Sequence, residues 1–403
     1  MILSDSAPPV LHLAPRHFTT RLALLFSGPL LVNGFAMPFF PIWLATLHMS
    51  DPEIALILAV PMFLRVFTAP LAGVLADRMG ERTRLLHVSA VLSLLTALAL
   101  FVSDSFWFIL VVYTLQGGVY SPYVPIVEAI ALSGVRRWGF DYARMRLWGS
   151  IVFIVATMIG GELISLVGGS MVLPAMALSF AVMIGITFLA PKVGPPRRPS
   201  TLTSLAAPQP KALRRRDVQT LILGVGLVNG SHGMLFAFSA LYWSKIGFTG
   251  TEIGLLWSAG VLAEIAMFVV AKPLLLRMSL WVMILSGAAL AVGRWLLFPL
   301  DLGFGGYLAL QTMHAFTYAL MHTGLQNQLV RQVPEEQEAG AQGLYFFYTG
   351  LSTAVCTFIS GYAYAWYGAS GFYAMSAVAA LGVSLIVAAW TMQRGPAMTR
   401  RAA

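Results

Sequence analysis

The sequence predicts an all-α membrane protein: twelve transmembrane helices in two six-helix pseudo-symmetric bundles, with both termini cytoplasmic. Three observations carry this. Of the 403 residues, 58% are hydrophobic and only 10% charged, where soluble domains carry about 25% charged residues. The apolar residues gather into twelve runs, each long enough to cross about 30 Å of hydrocarbon at about 1.5 Å per helical residue. The basic residues crowd into alternate gaps between those runs, which sets orientation.

Taken in order, the runs are 20–46, 53–76, 84–102, 106–132, 142–166, 170–190, 218–244, 251–275, 280–299, 303–329, 340–366 and 370–391. Residues 1–19 hold Pro8, Pro9 and Pro15 but no short apolar core followed by a small-residue cleavage site. They read as a cytoplasmic tail, not a cleaved signal. Residues 20–190 form the first bundle and 218–391 the second. Between them, 191–217 is rich in Pro, Ser, Lys and Arg and reads as a cytoplasmic linker; 392–403 is a second cytoplasmic tail.

Counting from an intracellular N-terminus, the inside segments hold 22 of the 25 Lys and Arg residues. The exceptions are Lys245 outside and Arg65 and Arg294 within spans. That distribution accounts for the net charge of +9 as a membrane signature, with no nucleic-acid partner expected. The lone cysteine, Cys356, lies in an apolar run, so no disulfide framework is available. No phosphate loop, paired metal ligands or nucleophile constellation stands out, and an enzyme is not expected.

The halves repeat. Leu31-Val32-Asn33-Gly34 recurs as Leu227-Val228-Asn229-Gly230, and Glu53-Ile54 and Arg78-Met79 recur as Glu252-Ile253 and Arg277-Met278. The second offset, 199 residues, also pairs Arg65 with Glu264. Opposite charges at equivalent positions point both side chains toward a central cavity.

Charges within spans are the first candidates for function, because each costs several kcal/mol unless something compensates it. Phe140-Asp141-Tyr142-Ala143-Arg144-Met145-Arg146 opens the fifth run with two arginines. Either they anchor the helix end at the cytoplasmic surface, or they bind substrate. Arg146 lies deeper and suits a carboxylate, which guanidinium grips with two parallel hydrogen bonds. Glu128 is its expected resting partner. Glu264 and Arg294 are expected to pair in the same way in the second half. For each pair the bland reading is a permanent ion pair that fixes packing. Tyr120, Tyr123, Trp148, Phe153, Tyr242, Trp243, Trp257 and Trp295 offer aromatic surface for a ring-bearing substrate, or fill space.

Two motifs carry a family resemblance. Gly73-Val74-Leu75-Ala76-Asp77-Arg78-Met79-Gly80-Glu81-Arg82 resembles the loop between the second and third helices of the major facilitator superfamily. The resemblance implies that Gly73, Asp77, Arg78, Gly80 and Arg82 gate the cytoplasmic side. The 140–146 stretch resembles Phe-Glu-Phe-Gly-Arg-Ala-Arg of the lactose permease family, in which the second arginine binds substrate with a fourth-helix glutamate. Glu128 stands eighteen residues before Arg146, and Arg294 and His314 are twenty apart, which again fits that family. Gln311 replaces its lysine and Thr317 its coupling glutamate. Phe153 replaces the indole on which galactosides stack, and Glu264 a sugar-binding asparagine.

Across nearly the whole chain the sequence resembles the 3-phenylpropionate permease branch of the superfamily, through Arg144 to Ser150, Gly233 to Trp243 and Leu256 to Glu264. That implies a symporter of a bacterial-type plasma (inner) membrane, multi-pass and monomeric, importing a small aromatic carboxylate by alternating access. Its partners are a small-molecule substrate, protons and the lipid bilayer, with no cofactor beyond the coupling proton. Substrate binding is expected at Arg146, Glu128, Arg144, Arg294, Phe153 and Trp148. With the usual glutamate absent, the proton is expected on Glu264 or Glu128, since a low dielectric favours a protonated carboxyl, with His314 as relay. Arg65 sets the cavity charge. A sugar or nucleoside symporter and a drug or metabolite exporter are the alternatives.

Overall fold

The computed structural model describes residues 14–78, 82–193, 212–334 and 337–399. Among them there is no strand, and helices follow one another from end to end. The first half holds α1 (Phe18–Thr46), α2 (Asp51–Arg78), α3 (Arg82–Ala99), α4 (Phe106–Tyr120), α5 (Tyr123–Trp138), α6 (Tyr142–Val167) and α7 (Val172–Thr187). The second holds α8 (Arg216–Gly230), α9 (Gly233–Lys245), α10 (Gly250–Arg277), α11 (Leu280–Leu297), α12 (Gly303–Thr312), α13 (Met321–Gln332), α14 (Glu338–Tyr367) and α15 (Phe372–Thr399).

Seven stretches among the described residues are long and apolar enough to cross a membrane, the last of them, Gly340–Arg394, containing two helices. Three expected spans are interrupted instead, the run 218–244 at Ser231 and His232 between α8 and α9. The run 106–132 breaks between α4 and α5 at Ser121 and Pro122, where proline cannot continue the hydrogen-bond ladder. The run 303–329 contains a π-helical turn, Ala315–Leu320, between α12 and α13. Such turns are rare and gather at functional sites. The gating loop expected at Gly73, Asp77, Arg78, Gly80 and Arg82 falls among side chains outside the described set.

Helix ends obey local chemistry. Asp141 caps α6 by accepting from the Arg144 backbone N–H at 3.2 Å. Thr249 and Glu252 form a reciprocal capping box at the start of α10. The sequence repeat reappears in packing. A Cβ on Gly34 would meet Ala156, and one on Gly230 would meet Ser352; both partners stand the same number of residues downstream. In each half the repeated Asn-Gly pair thus lets one helix seat closely on another.

The halves touch most closely at the end where α2 and α10 begin. There α6 lies on α10 with Gly161 and Gly250 backbone to backbone, and a Cβ on Gly254 would stand 2.9 Å from the Thr157 carbonyl oxygen. The Thr251 hydroxyl donates to Glu162 Oε2 at 2.7 Å, and the Thr251 N–H donates to Ser165 Oγ at 3.0 Å. On the opposite flank, Gly361 of α14 sits against Asp51 and Pro52 of α2. Glu162 therefore belongs to this seal.

Gly161→Leu should force the seal apart, since overpacking a close contact costs about 1–3 kcal/mol. In a Cys356→Ser, Ala237→Cys background, position 237 lying in the wall of a cavity between the halves, a membrane-impermeant maleimide added from this side should then react about tenfold faster. Unchanged labelling would mean that another contact closes this end.

Candidate functional site

Helical periodicity separates the two arginines of α6. Two residues apart is about 200° around a helix, so Arg144 and Arg146 face opposite ways. Arg146 Nη1 lies 3.4 Å from Glu128 Oε1 on α5. One turn back, the Tyr142 hydroxyl donates to Glu128 Oε2 at 2.8 Å, so both carboxylate oxygens are engaged. The Arg146 side chain remains 55% exposed. Phe153 lies two turns further on the same face, buried in the core and packed on α1 at Gly34. Arg144 and Trp148 instead line an apolar groove with Val182 and Ile186 of α7. The structure therefore does not bring these two residues to Arg146, contrary to a single substrate cluster on α6.

The second half is built around Arg294 of α11, whose side chain is fully buried. Its Nη2 donates to Gln311 Oε1 at 2.6 Å. Its Nη1 lies 3.4 Å from His232 Nε2, 3.5 Å from His314 Nδ1 and 3.4 Å from Thr317 Oγ1. Its Nε has no hydrogen-bond partner among the described residues. The ion pair expected between Glu264 and Arg294 is not formed. His314 stands between them, with Nε2 3.6 Å from Glu264 Oε2, and Gln311 takes the guanidinium. The π-helical turn sets this arrangement, holding Thr317 on the Arg294 side just after His314.

Hydrogen bonding assigns the tautomers. His232 Nδ1 is 3.3 Å from the Val228 carbonyl, so Nδ1–H donates and Nε2 accepts from Arg294. His314 Nδ1 likewise faces a guanidinium, which leaves Nε2–H toward Glu264. A neutral His314 thus bridges a permanent cation and a titratable acid. Ring contact continues from His314 to Tyr318 at 5.3 Å and from Tyr318 to His322 at 5.6 Å, and His322 Nδ1 lies 3.1 Å from the Tyr345 hydroxyl.

Sequence reasoning missed His232. Its signal was an ionisable side chain two residues beyond the repeated Asn-Gly pair, at the break between α8 and α9. Of the aromatic candidates, Tyr123, Trp243 and Trp295 are fully buried in cores. Tyr120 lines a cavity together with Arg65, where Phe236 and Thr357 enter from the other half.

Of Arg65, Arg146 and Arg294, only Arg146 has a carboxylate within 4 Å among the described residues, and Glu128 and Glu264 are the two acids of this region. With neutral histidines the site holds one unbalanced positive charge. Such a site can take a proton on a carboxylate and an anion on a guanidinium. Among the described residues, no three His, Cys, Asp or Glu side chains converge as metal ligands.

Comparison with known proteins agrees with this architecture. The chain is 27% identical over 368 residues to the probable 3-phenylpropionic acid transporter of Escherichia coli (strain K12), covering 90% of this chain and 95% of that one. It is 27% identical over 340 residues to the maltose permease of Geobacillus stearothermophilus, covering 82% and 83%. The crystal structure of the nucleoside transporter NupG superposes with a TM-score of 0.78 at 16% identity, covering 93% and 99%, a likeness of fold. Residues 25–375 match the family model described as MFS_1 like family. The chain is a multi-pass membrane transporter, and it belongs to the MFS_1 like family.

Proposed function

We propose that this transporter is a proton-coupled symporter that imports a small aromatic carboxylate such as 3-phenylpropionate across a bacterial inner membrane. The chain crosses twelve times, with halves 20–190 and 218–391 joined by 191–217 and both termini inside. The Gly161–Gly250 seal then lies outside, and the bound solute leaves toward the cytoplasm when the halves rock.

One observation carries the reading. Arg294 is fully buried, and every side chain in hydrogen-bond contact with it is uncharged: Gln311, His232, His314 and Thr317. A buried guanidinium without a carboxylate costs several kcal/mol, which an anionic solute in the cleft offsets. A proton taken by Glu264 removes one of the two negative charges and makes the cleft more attractive to the anion. By linkage the anion holds the proton better in turn. Cargo and proton therefore travel together. In this account Arg146 and Glu128 share the substrate side of the cleft, and Glu264 and His314 the proton side. The 3-phenylpropionate class rests on the relative in Escherichia coli.

The reading is tested with a pH dye trapped in proteoliposomes. Adding 3-phenylpropionate should acidify the lumen faster than in protein-free vesicles, which report passive entry of the acid. Acidification by maltose or a nucleoside, and not by the carboxylate, would overturn it in favour of a neutral solute.

A further inference from the structure

Three hydrogen-bond donors without acceptors meet in one cavity of about 160 Å³ between the two halves. Arg65 enters from α2, Tyr113 from α4 and Asn33 from α1, while Phe236 closes the far side from α9. Arg65 is exposed to this space and has no carboxylate within 4 Å among the described residues. The Tyr113 ring stacks on Phe40 at 4.3 Å, which holds it in place, and its hydroxyl makes no hydrogen bond among the described residues. The Tyr120 hydroxyl lies 3.4 Å from Asn33 Oδ1 and 3.0 Å from the Pro29 carbonyl. It occupies the acceptor end of the Asn33 amide and leaves the NH2 end to the cavity.

A guanidinium, a phenol and an amide NH2, all donating, define an acceptor-rich anion. The remaining wall is mostly apolar and includes Met37, Phe180 and Phe236, so the anion they fit carries an apolar body. Arg146 is less suited to this task, because Glu128 already holds it at 3.4 Å. We infer that Arg65, with Tyr113 and Asn33, is the carboxylate anchor of the substrate site, and that the substrate ring lies against Phe236, Phe180 and Met37. This rests on the carboxylate reading above and moves the anchor from α6 to α2.

The assignment explains the opposite charges at equivalent repeat positions. Arg65 and Glu264 correspond through the 199-residue offset. An anion on Arg65 and a proton on Glu264 neutralise the corresponding positions of the two halves, so neither of these two positions carries a free charge when the loaded cleft closes.

The test is equilibrium binding of labelled 3-phenylpropionate and of its neutral amide, 3-phenylpropionamide, to the purified full chain. Losing a charge-assisted contact in a desolvated site predicts that Arg65→Gln weakens the acid about a hundredfold and leaves the amide nearly unchanged. Arg65→Lys, which keeps the charge and loses the fork, should fall between. Tyr113→Phe should weaken the acid about tenfold and serves if Arg65→Gln fails to fold. Unchanged acid affinity in Arg65→Gln, or equal weakening of acid and amide, overturns the anchor while the carboxylate reading stands. A wild-type protein that binds maltose or uridine and neither phenyl compound overturns the carboxylate reading and the anchor together.

Discussion

Glu264→Gln should abolish proton-driven accumulation while leaving solute exchange across the membrane intact. Glutamine has the shape of the protonated acid and cannot release a proton, so the variant is locked in the loaded charge state of the cleft. With one proton per solute, a unit of ΔpH supplies about 1.4 kcal/mol, which is about tenfold accumulation. In the variant that ratio should fall to one, with counterflow of labelled solute near the wild-type rate. The placement supports this. The carboxylate lies 3.6 Å from His314 Nε2 and is 26% exposed, so a proton can reach it from the open side of the cleft. Replacement of His314, one bond network away, should slow coupling without removing it. Coupling that survives in Glu264→Gln would place the carrier elsewhere, with Glu128 next.

Arg294→Met should eliminate uptake without destabilising the fold. Breaking a buried ion pair by removing one partner costs about 3–5 kcal/mol, because the other charge is stranded. Arg294 leaves no charge behind, since its contacts are Gln311, His232, His314 and Thr317. Its own unpaired Nε and its burial are costs that methionine removes. Thermal unfolding in detergent should stay near wild type, while uptake falls at least about a hundredfold. A large loss of thermal stability would mean that the guanidinium is there for packing.

Much of this site was legible because charge in an apolar span has few reasons to exist. The eighteen-residue spacing of Glu128 and Arg146 across one helix turnaround brought them to 3.4 Å, and the twenty-residue spacing of Arg294 and His314 brought those to 3.5 Å. The repeat offsets showed that Gly34 and Gly230 do the same job. What failed was finer than spacing. Glu264 and Arg294 were expected to pair, but the π-helical turn after His314 puts the imidazole between them, and nothing at 315–320 announces that turn. Arg144 and Trp148 were grouped with Arg146 through the permease-like stretch they share with it, although the helical period alone turns them away. Arg65 was visible as a charge; the Tyr113 and Asn33 donors that give it chemistry come from separate helices, so only the tertiary structure joins them.

The central claim, carboxylate–proton symport, is tested most directly by uptake of labelled 3-phenylpropionate into proteoliposomes with pH gradient and membrane potential imposed separately. A monoanion moving with one proton carries no net charge, so the account predicts accumulation that follows an inward proton gradient and ignores the potential. A neutral solute moving with a proton would also respond to the potential, at about 2.3 kcal/mol per 100 mV. Failure of the acid to accumulate under the proton gradient, or accumulation driven by the potential alone, would contradict the account.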